Sequence, residues 1–268
     1  MKKLLSSVIL GASVLALAAC GGEDEKLVVG ASNTPHAVIL EKVKPILEKQ
    51  GIDLEIETYT DYVLPNQDLE SGDLDANYFQ HIPYFESQKA DFDYDFVNAG
   101  NIHIEPIGIY SKKYKSLEEL PEGATILLSN SVSDHGRMLS LLETEGLITL
   151  ADGIDKTTAE TKDIVENPKN FQFDAGTAPE LLVQMYENEE GDAVLINSNY
   201  AIDNGLNPLK DSIAIESSDS SPYINIITVK SGDEDSKEIK ALVEALHSKE
   251  IQDFMLEEWG GSVVPVTK

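Results

Sequence analysis

The 268-residue sequence is poor in several residue types that carry chemistry. It contains one cysteine, Cys20, one tryptophan and one arginine, Arg137. A single cysteine excludes an internal disulfide and a cysteine-rich metal site. Only 20 residues are lysine or arginine against 48 aspartate or glutamate, which gives a formal net charge of −28 at pH 7. So acidic a surface repels nucleic acid, and we expect no nucleic-acid partner.

Long apolar runs are also missing. The most apolar stretch, residues 4–17, is shorter than the roughly 20 residues that cross a bilayer. It follows two lysines and precedes Leu-Ala-Ala-Cys, an arrangement typical of a secretory signal. Because the cysteine follows Leu-Ala-Ala directly, the pattern indicates a bacterial lipobox, and an ordinary signal with an incidental cysteine is the alternative. We expect a signal peptide over 1–19, a lipid-bearing Cys20 that holds the protein at the cell membrane outside the cytoplasm, and a tether over 20–26.

The rest of the chain alternates between short apolar runs and helical patterns. Residues 27–30 predict a buried strand, and apolar side chains at helical spacing predict a helix over about 36–50. A second series begins with a strand at 125–128 and a helix over about 133–145. This alternation indicates an α/β fold with a mixed, largely parallel sheet.

Two further segments continue this series, and the chain length suggests how it is divided. Residues 79–89 have a helical pattern, and 102–110 form one extended run. The length suits two lobes. We expect the first lobe over 27–109 and 223–268, and the second over 110–222.

Four sequence stretches follow one another in the order of a known family. They are Asp-Tyr-Val-Leu-Pro-Asn at 61–66, Asp-Ala-Asn-Tyr-Phe-Gln-His at 75–81, Val-Leu-Ile-Asn-Ser-Asn-Tyr-Ala at 194–201 and Ser-Pro-Tyr-Ile-Asn at 221–225. Together they resemble the NlpA/MetQ family of methionine-binding lipoproteins. The resemblance implies a type II periplasmic-binding-protein fold with the ligand in the cleft between two lobes.

The resemblance also implies a function and partners. The protein would bind L-methionine, a closely related amino acid or a methionine-containing dipeptide, and deliver it to the permease and ATPase of an ABC importer. It would act as a monomer without a cofactor.

The candidate ligand residues make chemical sense for a zwitterionic amino acid. Arg137 offers a planar fork that pairs bidentately with a carboxylate, although an ordinary ion pair is the alternative. Asn197 and Asn225 follow apolar strands, and strand ends commonly face the ligand crevice of open α/β sheets. Their alternative role is to cap a helix or form a turn.

Three aromatic or histidine side chains are candidates for the slot that receives the ligand side chain. Tyr62, Phe79 and His81 lie in the motifs that carry the resemblance, and aromatic faces suit a thioether. Core packing is the alternative for each of them.

The sequence departs from the family pattern Pro-Asn-Asp-x-x-Asn-x-x-Arg at one informative position. Asn130 and Arg137 are kept, whereas Asp134 replaces the second asparagine. Asp134 either pairs with Arg137 or meets the ligand's ammonium or a cationic group that methionine lacks. If the preferred ligand carries such an extra positive charge, we expect Asp134→Asn to preserve or strengthen L-methionine binding and to weaken binding of the preferred ligand. His103 also stands where family members tend to be apolar or aromatic.

Three other functions remain open from the sequence. A zinc or manganese receptor would use His81, His103, Asp134 and His135. A hydrolase is disfavoured because the chain has no Gly-x-Ser-x-Gly, Ser-x-x-Lys or His-Glu-x-x-His motif, and we expect no enzyme. An adhesin with a vestigial binding site is the third.

Overall fold

The computed structural model describes residues 25–219 and 221–266. The predicted signal peptide, Cys20 and most of the tether lie outside these residues. The strands are β1 (Glu25–Ser32), β2 (Ile52–Tyr59), β3 (Ala76–His81), β4 (Phe96–Ile104), β5 (Gly108–Tyr110), β6 (Thr125–Ser129), β7 (Thr149–Leu150), β8 (Ile164–Glu166), β9 (Gln172–Thr177), β10 (Ala193–Ile196), β11 (Ala214–Ile215), β12 (Ile224–Lys230) and β13 (Val264–Pro265). The α-helices are α1 (Val38–Glu48), α2 (Leu64–Ser71), α3 (Ile82–Phe92), α4 (Val132–Thr144), α5 (Leu182–Glu187), α6 (Ser198–Asp203), α7 (Pro208–Asp211), α8 (Lys237–Leu246) and α9 (Lys249–Trp259).

The strands form two main sheets, one in each lobe. The first sheet has the order β13-β4-β12-β3-β1-β2, and the second has the order β11-β5-β10-β6-β9. Strand β1 is parallel to β2 and β3, and β6 is parallel to β9 and β10. Strand β12 is antiparallel to β3 and β4, and β5 is antiparallel to β10 and β11. The predicted α/β class is confirmed, but the expectation of a largely parallel sheet is wrong because the strands next to the lobe crossings run antiparallel.

The chain passes between the sheets twice. It leaves the first sheet at Ile104 and enters the second at Gly108, so the run predicted over 102–110 is two strands. It leaves the second sheet at Ile215 and returns at Ile224. We propose that the lobes meet within 105–107 and 216–223, close to the boundaries expected from the sequence.

The helix predicted over 79–89 begins later than expected. Residues 76–81 are strand β3, and every one of them is buried. A strand buried on both faces shows no alternation, so periodicity does not separate it from a helix. The side chain of His81 caps α3 by accepting from the backbone N–H of Tyr84 at 3.1 Å.

Each lobe has its own apolar core. In the first lobe, α1 buries Ile39, Leu40, Val43 and Leu47 against the sheet. In the second lobe, α4 buries Met138, Leu139, Leu141 and Leu142. Within the described part of the chain, none of the helices is long and apolar enough to cross a membrane.

Candidate ligand-binding site between the lobes

A cavity lies where the two lobes meet. Both lobes and the first crossing segment contribute to its wall. The residues used below are His36, Tyr62, Phe79, His81, Tyr84 and Asn225 from the first lobe, Asp134, Arg137, Asn197 and Asn199 from the second, and Glu105 from the crossing segment.

Most of the residues predicted from the sequence line this one cavity. They are Tyr62, Phe79, His81, Asp134, Arg137, Asn197 and Asn225. Asn130 does not line it: its side chain is exposed, and its backbone N–H donates to the carbonyl oxygen of Thr177 at 2.8 Å. Because α4 begins at Val132, Asn130 lies before the helix and does not share a helical face with Arg137.

Arg137 is buried at the junction of the two crossing segments. Its Nη2 donates to the backbone oxygen of Glu105 and to Glu216 Oε2, each at 2.6 Å. The ring of Tyr223 lies 4.7 Å from its guanidinium carbon. Burial lowers the pKa of Arg137, but the carboxylates of Glu216 and Asp134 outweigh it and hold that pKa above the usual value. Among the described residues, its Nε has no hydrogen-bond partner.

Asp134 connects the two lobes from the wall of the cavity. It is 1% exposed. Its Oδ1 accepts from His81 Nε2 at 2.9 Å, and its Oδ2 accepts from Asn197 Nδ2 at 3.3 Å. Arg137 Nη1 is 3.8 Å from Oδ1. Burial raises the pKa of Asp134, but His81 and Arg137 reverse the effect and lower it, so the group is a carboxylate at neutral pH.

Aromatic rings form the opposite wall. The ring centroids of Tyr62, Phe79 and Tyr84 lie 6.0 Å from one another. Tyr62 donates through its hydroxyl to Asn199 Oδ1 in the second lobe at 2.7 Å. Tyr84 was not predicted, because a tyrosine in an amphipathic helix has the same pattern as a core residue. The wall gives the cavity an apolar, polarizable side.

A buried network of polar contacts lies beside the cavity. It includes Glu105 and His36, which were not predicted from the sequence. Glu105 Oε1 lies 2.7 Å from His103 Nε2 and 3.3 Å from His36 Nε2. His103 Nδ1 lies 2.5 Å from the hydroxyl of Tyr78. Burial raises the pKa of Glu105. A glutamate inside the apolar run 102–110 is the signal that could have identified it.

The four residues predicted as possible metal ligands do not meet at one point. His81 pairs with Asp134, His103 pairs with Glu105, and His135 Nε2 lies 2.7 Å from the backbone oxygen of Ser129. A different set, His36, His103 and Glu105, has ligand atoms within 4.8 Å of one another. Ligands of tetrahedral zinc stand about 3.3 Å apart, so the 2.7 Å contact between His103 and Glu105 is that of a hydrogen bond.

The two buried histidines lead to a pH prediction. Burial lowers the pKa of His36 to about 4 and that of His103 to about 3. An unfolded histidine has a pKa of about 6.5, so between roughly pH 6.5 and 4 only the unfolded chain binds these protons. Above that range, burial of each neutral ring makes its full contribution to the free energy of unfolding. Within the range, that contribution falls by about 1.4 kcal/mol for each pH unit of acidification. We expect NMR ring signals of both residues to stay in the neutral position down to about pH 5. The same protein in urea is the control, and titration near the ordinary pKa in the folded protein would contradict the burial.

Comparison with known proteins places this chain in a family. The family model of NlpA lipoproteins matches residues 27–267. Across the full length of both chains, the sequence is 50% identical to the methionine-binding lipoprotein MetQ of Bacillus subtilis. It is 40% identical to the solved nutrient binding protein from Burkholderia cenocepacia bound to methionine, with a TM-score of 0.84 over 90% of this chain and 100% of that chain.

A second solved structure agrees. The ABC transporter periplasmic substrate-binding protein from Coxiella burnetii is 34% identical, with a TM-score of 0.84 over 90% of this chain and all of that chain. These similarities confirm the predicted two-lobed fold. The chain therefore belongs to the NlpA lipoprotein family.

Proposed function

We propose that this chain is the solute-binding lipoprotein of an ABC importer. It binds methionine, or a close relative of methionine, in the cavity between its lobes and delivers it to a permease and its ATPase. It acts outside the cytoplasm as a lipid-anchored monomer, without a cofactor and without catalysis. The methionine-bound relative and the ABC transporter relative named above support this proposal.

One observation supports an amino-acid ligand most strongly. Arg137 Nε, a donor, and Asn197 Oδ1, an acceptor, are both buried without a partner among the described residues. Both side chains line the same cavity. A buried polar group without a partner costs about 1–3 kcal/mol. An α-amino acid supplies the two missing partners, since its carboxylate accepts and its ammonium donates.

The remaining cavity residues suit the rest of the ligand. Tyr62, Phe79 and Tyr84 would receive the thioether side chain. His81 would line the slot with its ring, and Asn225 completes the proposed contact set with its amide. Asp134 acts through the side chains that it holds, and Asn130 is no longer part of the proposed site because it is exposed.

Mass spectrometry of the small molecule that co-purifies with the protein from its host tests this proposal. We expect methionine or a methionine-like amino acid from the parent protein, and a clear loss of that molecule from the Arg137→Ala variant prepared in parallel. Metal without amino acid in both preparations would contradict the proposal.

The lipid anchor gives a separate prediction. Cys20 lies outside the described residues, but a lipobox cysteine receives a diacylglyceryl group. One acyl chain binds membranes only marginally, and two give stable anchoring. We expect the Cys20→Ala variant to leave the membrane fraction, while the parent and a Cys20-retaining Arg137→Ala variant remain there. Cell fractionation with immunoblotting measures this, and equal retention of Cys20→Ala would exclude the anchor.

A further inference from the structure

The candidate site contains two buried carboxylates, and each is connected to an asparagine that lines the cavity. We propose that these two networks set the polarity of the amino-acid site. The Asp134 network turns the amide oxygen of Asn197 toward the ligand ammonium, and the Glu105 network turns the amide nitrogen of Asn225 toward the ligand carboxylate. This inference rests on the proposed function, because it assumes a zwitterionic ligand.

The first network fixes Asn197 through Asp134. His81 Nδ1 accepts from the backbone N–H of Tyr84 at 3.1 Å, so the ring hydrogen of His81 is on Nε2. That N–H donates to Asp134 Oδ1 at 2.9 Å. A carboxylate only accepts, so Asn197 must present its NH₂ group to Asp134 Oδ2, 3.3 Å away. The amide oxygen of Asn197 then faces the other way, where it is buried without a partner among the described residues.

The second network begins at Tyr78. Its hydroxyl donates to His103 Nδ1 at 2.5 Å, which puts the hydrogen of His103 on Nε2. His103 Nε2 then donates to Glu105 Oε1 at 2.7 Å. The tyrosine keeps its hydrogen because burial and the charge of Glu105 hold its pKa well above the usual value. Among the described residues, His103 Nδ1 is the only partner of that hydroxyl, so the hydroxyl donates to it.

The same carboxylate fixes the asparagine at the start of β12. His36 Nε2 lies 3.3 Å from Glu105 Oε1 and 3.0 Å from Asn225 Oδ1. Since Glu105 Oε1 already accepts from His103 and offers no hydrogen to His36, His36 Nε2 carries the hydrogen and Asn225 accepts it through its amide oxygen. The amide nitrogen of Asn225 is thereby directed away from His36 and available to an acceptor.

The two asparagines therefore offer opposite groups to one cavity. Asn197 presents an acceptor and Asn225 presents a donor, as a ligand with one ammonium and one carboxylate requires. An amide side chain cannot take over the role of either carboxylate, because it has one acceptor oxygen instead of two. In Asp134→Asn, this oxygen accepts from either His81 or Asn197 but not from both, so Asn197 is free to turn. This inference therefore predicts the opposite of the sequence-based expectation that Asp134→Asn preserves L-methionine binding.

The test separates the two ends of the ligand. Asp134→Asn and Glu105→Gln, which keep the shape of the side chain, are titrated by displacement calorimetry with L-methionine, 4-(methylthio)butanoate and 3-(methylthio)propylamine. We expect Asp134→Asn to lose about tenfold in affinity for L-methionine and for the amine but to bind the acid unchanged. We expect Glu105→Gln to lose about tenfold for L-methionine and the acid but to bind the amine unchanged.

Two further variants serve as a control for charge and as a second test of the Glu105 network. Asp253→Asn, an exposed change on α9, removes one negative charge far from the cavity and should affect no ligand. His36→Leu removes the donor to Asn225 and provides the second variant for the Glu105 network if Glu105→Gln does not fold. A parent that binds no L-methionine would overturn the proposed function together with this inference. A parent that binds it, with variants that weaken all three ligands equally or none, would overturn this inference alone.

Discussion

The Arg137→Ala variant is expected to bind L-methionine at least about thirtyfold more weakly than the parent. Truncating one partner of a buried, hydrogen-bonded charge pair costs about 2–5 kcal/mol. Arg137 is the only arginine of the chain, is 4% exposed, and has an unpartnered Nε in the described structure. Its loss removes the donor that we propose for the ligand carboxylate.

The Arg137→Lys variant separates charge from geometry. Lysine keeps the positive charge but loses the planar fork, so we expect only partial recovery of affinity. Glu216 and the backbone oxygen of Glu105 lose their donor in the alanine variant, so far-UV circular dichroism and thermal unfolding must show that each variant is folded at the titration temperature. Parent-like affinity in both folded variants would show that Arg137 does not hold the ligand.

The Gly136→Ala variant is expected to lose about 2 kcal/mol of unfolding free energy, the middle of the range for overpacked interiors. Gly136 lies on α4, where a Cβ atom would stand 2.3 Å from the backbone oxygen of Lys156 and 2.6 Å from that of Thr157. These are backbone atoms, so no side-chain rotation relieves the clash. The segment 156–158 or the helix must move, and α4 carries both Asp134 and Arg137.

A control substitution on the same helix shows whether the steric clash causes the loss of stability in Gly136→Ala. In an open helix, alanine is about 1 kcal/mol more favourable than glycine, so propensity alone predicts the opposite sign. Ser140→Ala, at a partly buried position of α4, should leave stability within about 0.5 kcal/mol of the parent. Urea unfolding measures both variants, and a Gly136→Ala protein as stable as the parent would contradict the close approach.

The elements with clear periodicity were predicted well from the sequence. The helix predicted over about 36–50 contains α1, and the helix predicted over about 133–145 is α4 with a one-residue shift at each end. Segments without periodicity were predicted poorly. Strand β3 is buried along its whole length and was assigned in part to a helix, and the run 102–110, predicted as one extended segment, is two strands in different sheets.

The candidate site was partly predictable for a similar reason. Arg137 and Asn197 stood out through rarity and position at a strand end, whereas His36 and Glu105 did not. His36 contacts Asn225, 189 positions away in the sequence, because the fold places the segment just before α1 beside the start of β12. Such a contact depends on tertiary structure and has no local pattern. Asn130 matched the family motif, but the helix begins two residues after it and its side chain is exposed.

Calorimetric titration of the Cys20→Ala protein with L-methionine decides whether the chain binds this amino acid. We expect saturable binding of one molecule per chain, and a marked loss of that binding in the same protein carrying Arg137→Ala. An absence of heat with L-methionine, D-methionine and methionine dipeptides, confirmed by unchanged thermal unfolding in their presence, would contradict it.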